Sequence, residues 1–296
     1  MMKKFYGMLL ISCVATLQWG CADKEPFYGD GESNVFISVT PANEGNGAKA
    51  PVSLLQATDI NAVTVVFFDA QGDKAYEETQ LRADFTGDSA VNFGKFVGLL
   101  GTGEYTMMVF GYGDSQPMTI TSPTLATFAN SPKIVYSAQR AVAVTQSGRL
   151  ELTAELKRIV AQFQIRAEET SIPNGIKCLR YTFSKSGVAL NPTTSLATTD
   201  TGFIAFSSDL QPHWGETIDP LNFATYFLLF SDEETMDVLV EALDVSETVV
   251  VSHNFRNVPF KRNRLTFIRG SLFHGDIGTG FTVDTQWLNP YDMGTF

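Results

Sequence analysis

Cysteine, histidine and clustered carboxylates are the side chains here that could do chemistry, and Cys21 has the most informative surroundings. It follows the basic Met1-Met2-Lys3-Lys4 and an apolar stretch from Phe5 to Leu17, and it opens an acidic, turn-rich segment. Leu17-Gln18-Trp19-Gly20-Cys21 reads as a loose lipobox with a small residue before the cysteine. In that context a bacterial lipoprotein signal is cut and the new N-terminal cysteine takes acyl chains such as palmitate. The apolar stretch is shorter than the about 20 residues that cross a bilayer. Leu10-Ile11-Ser12-Cys13 fits a strict lipobox better, but a cut there leaves a very short apolar region and strands apolar sequence in the mature chain. An ordinary secretory signal would need a small-residue cleavage site, which is missing before the mature end.

The remaining candidates read as structure. His213, His253 and His274 are scattered, with no H-E-x-x-H and no close pair at metal-ligand spacing. His253, after Val249-Val250-Val251, reads as a packed or edge imidazole. Asp232-Glu233-Glu234 reads as a solvated hairpin tip between two strands, since paired acid and base chemistry is defined by a separation in space. Gly101-x-Gly103 lacks the third glycine and the helix of a dinucleotide loop. The turns at Asp30 and Asp69–Asp73 lack the ligand spacing of a calcium loop. If Cys21 is acylated and Cys13 leaves with the signal, Cys178 is a lone thiol among Ile176, Leu179 and Tyr181, which suggests packing in or beside a strand. Trp214, in Gln211-Pro212-His213-Trp214-Gly215, sits where an exposed ring would serve as a sugar platform, while Trp287 shares an alternating face with Phe281 and Val283. The expectation is a chain that is not an enzyme and holds no metal or cofactor.

Charge narrows the partners. Loss of residues 1–20 removes Lys3 and Lys4, leaving 276 residues with 19 basic and 32 acidic side chains, a net charge of −13. Nucleic acid and anionic membrane surfaces are both repelled, so covalent lipid on Cys21 is the plausible membrane anchor.

The elements that must position these residues are strands. Arg149 to Leu156 alternates without a break, placing Leu150, Leu152, Ala154 and Leu156 on one face. Val35, Ile37 and Val39 alternate with polar neighbours in a first strand, Asn34 to Thr40. Val63 to Phe68 is apolar on both faces and belongs in the middle of a sheet, ending in a hairpin turn at Asp69–Asp73. Gly101-Thr102-Gly103 turns into another strand, Glu104–Phe110. Further strands are predicted at Lys133–Ser137, Ile159–Ala167, Lys177–Ser184, Phe223–Phe230, Met236–Leu243, Thr248–Phe255, Arg264–Phe273 and Phe281–Trp287. That spacing is the pattern of an all-β sandwich protein. The expected organisation is a signal peptide (1–20), a tether (21–33), and two β-sandwich domains (34–156 and 157–296), the boundary falling where basic residues at Lys157-Arg158 interrupt the alternation.

Ile60 to Gly72, coming after lipobox, tether and short strand, resembles the N-terminal domain of Bacteroidales fimbrillin-type proteins, the subunits and anchors of type V fimbriae. Gly103-Glu104-Tyr105-Thr106 is similar to that family's G-x-Y strand, and Leu152 to Ala161 to its L-x-R-x-x-A segment. Asn257 to Asn263, with Thr266 to Leu272, is similar to its late N-x-P-x-x-x-N strand pair. The resemblance implies two tandem transthyretin-like β-sandwich domains in a lipid-anchored protein of the outer membrane and surface fimbrium. It implies a stalk, tip or anchor subunit in cell adhesion, joined to other subunits by exchange of the strand carrying Val35, Ile37 and Val39. In the family, stalk subunits open their groove when a trypsin-like protease cuts after a basic residue, commonly arginine. Here the basic residues between the signal and Lys74 are Lys24, whose cleavage trims only the tether, and Lys49, in the loop after the first strand. A surface glycan-binding lipoprotein is the alternative reading.

Overall fold

The computed structural model describes residues 33–42, 54–114, 116–145 and 149–273. Among the described residues, the first half contains β1 (Ser33–Pro41), β2 (Ala62–Asp69), β3 (Lys74–Leu81), β4 (Lys95–Leu100), β5 (Gly103–Tyr112), β6 (Thr119–Ser122), β7 (Leu125–Thr127), β8 (Val135–Val144) and β9 (Leu150–Arg158). Seven of them form a sheet in the order β3-β2-β5-β8-β9-β1-β4. This sheet folds over on itself where β8 meets β9, so that Val63, Val65 and Phe67 of β2 pack across from Val35, Ile37 and Val39 of β1. The other face of β2, with Ala62, Val66 and Phe68, is also buried. A strand apolar on both faces has to be covered on both, and β2 accordingly lies inside the sheet between β3 and β5. Its hairpin closes as expected: Asp69 Oδ1 accepts the N–H groups of Gln71 and Asp73, both at 2.9 Å, and Gly72 supplies a φ of +85°.

The second half contains β10 (Ala161–Ala167), β11 (Ile176–Phe183), β12 (Ala189–Asn191), β13 (Leu196–Thr199), β14 (Ile204–Phe206), β15 (Leu221–Phe227), β16 (Glu233–Asp244), β17 (Val249–Lys261) and β18 (Leu265–Gly270). Its two main sheets run β15-β10-β18 and β14-β11-β16-β17. This repeats the first half strand for strand. β10 lies between an antiparallel β15 and a parallel β18, as β1 lies between an antiparallel β4 and a parallel β9. Both halves are β-sandwiches, and the protein is all-β. The second core centres on Phe163, fully buried, with edge-on contacts to Tyr181, Phe183 and Phe260 at centroid distances of 6.1–6.3 Å.

A third core joins the two. It takes Phe68, Met108, Phe110 and Tyr112 from the first half, Leu190 and Leu228 from the second, and Ile159 and Val160 from the crossing between them. Above it lies a small sheet, β13-β12-β7-β6, in which Leu190 pairs with Ala126 and Ala189 with Thr127. The sandwiches are therefore knitted by backbone hydrogen bonds as well as by chain continuity. This sheet is made of strands of three or four residues, too short to show a period. β3 and β4 likewise fall outside the strands predicted from the sequence. Lys74, Glu77 and Glu78 give β3 the polar composition of a strand at the sheet edge.

On β9 the alternation holds: Leu152, Ala154 and Leu156 are buried in the first core and Glu151 is exposed. Leu152→Ala is expected to destabilise the protein by about 2–5 kcal/mol, and Glu151→Ala by no more than about 0.5 kcal/mol. Urea melts of the two variants check the facing, and equal losses would contradict it.

Past β18 the chain is held by one carboxylate. Glu169 accepts hydrogen bonds from the Ser271 hydroxyl at 2.7 Å, the Leu272 N–H at 3.0 Å and the Phe273 N–H at 2.9 Å. Burial pushes the carboxyl up, and these three donors, together with Glu169's own backbone N–H, outweigh it, holding it down at about 2. The sign follows: the clamp contributes stability above the unfolded-state value of about 4.3 and loses it as pH falls through about 2. The stability gap between wild type and Glu169→Gln should be full at pH 7 and shrink steadily below pH ~4.3. A gap that does not change with pH would remove the clamp.

Candidate functional site

The first strand is the functional candidate that the structure describes best. Val35, Ile37 and Val39 are 0%, 1% and 5% exposed and face the core, as their alternation requires. On one side β1 pairs antiparallel with β4, Val35 opposite Gly98 and Ile37 opposite Phe96. On the other it pairs parallel with β9, Val35 opposite Leu150 and Pro41 opposite Leu156. On the outer face, the Arg149 guanidinium lies 3.9 Å from the Phe36 ring centroid. Without β1, β4 and β9 would each present an unpaired ladder, and Phe96, Leu100, Leu152 and Leu156 would line an open apolar trough.

One wall of that trough is fixed by a buried amide. Gln80 accepts the Gly94 N–H at 2.8 Å through Oε1 and donates from Nε2 to the Lys95 carbonyl at 2.7 Å, so β3 sets the start of β4. Gly94 has a φ of +84°, and a Cβ there would stand 2.2 Å from Leu54 Cδ1. The Gly94 carbonyl in turn accepts the Val39 N–H at 2.9 Å. Where the chain re-enters at Leu54, Arg82 donates to the carbonyls of Leu54, Ala57 and Ile60 at 2.6–2.8 Å. Both ends of the segment 43–53 are thus pinned, and Lys49 lies within that segment, outside the described residues.

A model for a family of unknown function, DUF6562, matches residues 101–295. The chain belongs to the DUF6562 family. The match begins just after β4, so β1 lies ahead of it. No curated protein matches this DUF6562 chain. Among solved structures it is similar to a candidate adhesin of Bacteroides thetaiotaomicron, with 10% identity and a TM-score of 0.50 over 88% of this chain and 99% of that one. It is also similar to the fimbrial anchor protein Mfa2 of Porphyromonas gingivalis, with 12% identity and a TM-score of 0.46 over 77% of this chain and 83% of that one. The tip fimbrial protein Mfa3 of the same organism matches with 10% identity and a TM-score of 0.45 over 86% of this chain and all of that one. The structural neighbours are Bacteroidales fimbrial proteins and adhesins, and at these identities the likeness is one of fold.

The other sequence candidates of the DUF6562 chain have structural partners or lie out of view. Trp214 is half-buried against the second core and its indole N–H donates to the Ile176 carbonyl at 2.6 Å, so it does not present the free ring of a sugar platform. A buried indole needs an acceptor, and the start of β11 supplies one at Ile176. His253 is buried, stacked on Phe255, with Nε2 2.9 Å from the Leu272 carbonyl. His213 is exposed and pairs with Glu216 at 2.9 Å. The acidic run is not a free hairpin tip: Glu233 and Glu234 belong to β16, and Asp232 pairs with Arg262 at 2.6 Å, Glu233 with Lys261 and Glu234 with Lys185 at 3.9 Å. Cys178 is half-buried in β11, and burial pushes its thiol up. Among the described residues no cluster of His, Cys, Asp or Glu could hold a metal ion, and no helix is long and apolar enough to cross a membrane. Cys21, Cys13, Lys24, His274 and Trp287, with the predicted strand Phe281–Trp287, lie outside the described residues.

Proposed function

We propose that this chain is a non-enzymatic structural subunit of a cell-surface fimbria, tethered to the outer membrane through acyl chains on Cys21 and joined to other subunits by β-strand complementation. The observation that carries the reading is the position of β1: it lies inside its sheet between β9 and β4, paired on both edges, and the segment that follows it in the sequence contains Lys49. A strand in that position is a removable plug. Each large aliphatic side chain it seats contributes about 1.5–3 kcal/mol, so a vacated groove strongly favours a replacement strand of the same pattern. The fold shared with an adhesin-type Bacteroides protein agrees with this role.

The same geometry serves two positions in a filament. Cleavage after Lys49 frees β1 together with the lipid and yields a stalk subunit, whereas an intact loop keeps the plug in place and yields an anchor or tip. Membrane tethering is tested with Cys21→Ala, which should lose labelling by an alkyne fatty acid and leave the membrane fraction. Undiminished labelling would move the acylated residue to Cys13 or remove the lipid from the account. Imaging of a deletion strain tests the fimbrial role, with loss or detachment of surface filaments as the expected result and unchanged filaments as the contrary one.

A further inference from the structure

We propose that the crevice between β8 and β9 binds an acidic saccharide, a sugar bearing a carboxylate or sulfate, with Arg140 and Lys157 as the anion contacts. The crevice exists because the two strands pair only at Tyr136 with Arg158 and Ser137 with Lys157. Beyond that point β8 continues along β5 and β9 along β1, and the seam of the sandwich opens into a cavity of about 560 Å³. That volume falls within the about 300–1,000 Å³ of small-ligand sites.

The side chains in the seam break the pattern that would close it. On β8 the inward positions are Tyr136, Ala138, Arg140, Val142 and Val144, and Arg140 stands opposite the buried Met107. A guanidinium thus occupies a position where the alternation calls for an apolar side chain, and Ala138 and Ala154 are too small to fill the space beside it. A local rule broken without visible compensation marks a functional position. Arg140 and Lys157 are exposed, and no ion pair is made by either among the described residues. The other two cations of the lining have structural work: Arg158 donates to the Tyr136 hydroxyl at 3.0 Å with Asp59 at 4.0 Å, and Arg262 pairs with Asp232 at 2.6 Å. On a chain of net charge −11, a lining with four cations and the single carboxylate of Glu155 is a local reversal of sign. The neutral groups suit hydroxyls: Ser137 and Ser195, bonded to each other at 2.8 Å, with Gln139, Thr153 and Asn263.

An extended acidic peptide is the competing occupant, because β8 and β9 both show open edges there. Arg140 disfavours it, since a charge at a core-register position of an open strand edge resists the addition of another strand. The guanidinium is instead placed to fork onto a carboxylate or sulfate.

Isothermal titration of the full chain with digalacturonate, a sulfated chondroitin disaccharide, cellobiose and a hexaglutamate peptide separates these cases. Binding of either acidic sugar, weakened by salt and reduced by at least about tenfold in Arg140→Gln and in Lys157→Gln, supports the proposal. The preferred probe then tells uronate from sulfate. Ala138→Phe, which fills the crevice without changing charge, should abolish the same binding, and unchanged melting temperatures certify that the variants fold. Equal affinity in wild type and Arg140→Gln, equal binding of cellobiose, binding of the peptide alone, or no binding at all would overturn it. None of these outcomes bears on the role of β1, which lies on the far side of β9 from the crevice.

Discussion

Ile37→Asp should leave the first sandwich unable to hold its own first strand. Ile37 is 1% exposed and packs among residues of both layers. Truncation alone costs about 2–5 kcal/mol at such a site, and a carboxylate in an apolar core adds an unpaired polar group with its own penalty of several kcal/mol, part of which is relieved by protonation. The total is comparable to the about 5–15 kcal/mol that holds a whole domain together. Two controls locate the effect. Ile37→Val should cost only about 0.5–1.5 kcal/mol. Phe36→Ala, on the outer face under Arg149, should lose about 1 kcal/mol of cation–π and packing energy. Circular dichroism and urea melts would show the ranking, and Phe36→Ala as damaging as Ile37→Asp would mean that the strand faces the other way.

The second large effect is expected in the other sandwich and tests how the halves are joined. Phe163→Ala removes the ring around which Tyr181, Phe183 and Phe260 are arranged, at a cost of about 3–5 kcal/mol. Because the third core draws side chains from both halves and β7 pairs with β12, the damage should not stay local. Thermal unfolding of the variant is expected as one cooperative transition, at a lower temperature than wild type, with probes in the two halves moving together. Two separated transitions would mean that the linking sheet carries no coupling.

Strands with a strong period were legible in the sequence. Leu152, Ala154 and Leu156 announce their face by alternation, and Val63 to Phe68 announces a strand covered on both sides. What was not legible depends on contacts between distant residues. Leu190 beside Ala126 cannot be inferred from strands of three residues, and β3 hides its identity behind the charges an edge strand carries. Trp214 illustrates a different limit, since a loop position says nothing about whether the indole N–H finds a buried carbonyl. Arg140 is the one charged member of the series Tyr136, Ala138, Arg140, Val142 and Val144, a series that exists only because β8 runs to Val144 rather than ending at Ser137.

N-terminal sequencing of material sheared from cells, together with the membrane-retained fraction, tests the fimbrial account most directly. A stalk subunit should appear in the sheared filaments with Ala50 as its first residue, having lost β1 and its lipid in one cut. An anchor should remain in the membrane with an acylated Cys21 and an intact loop, crosslinking to other fimbrial subunits. A chain that is absent from the filaments, strictly monomeric in both fractions and without a crosslinked partner would contradict the account.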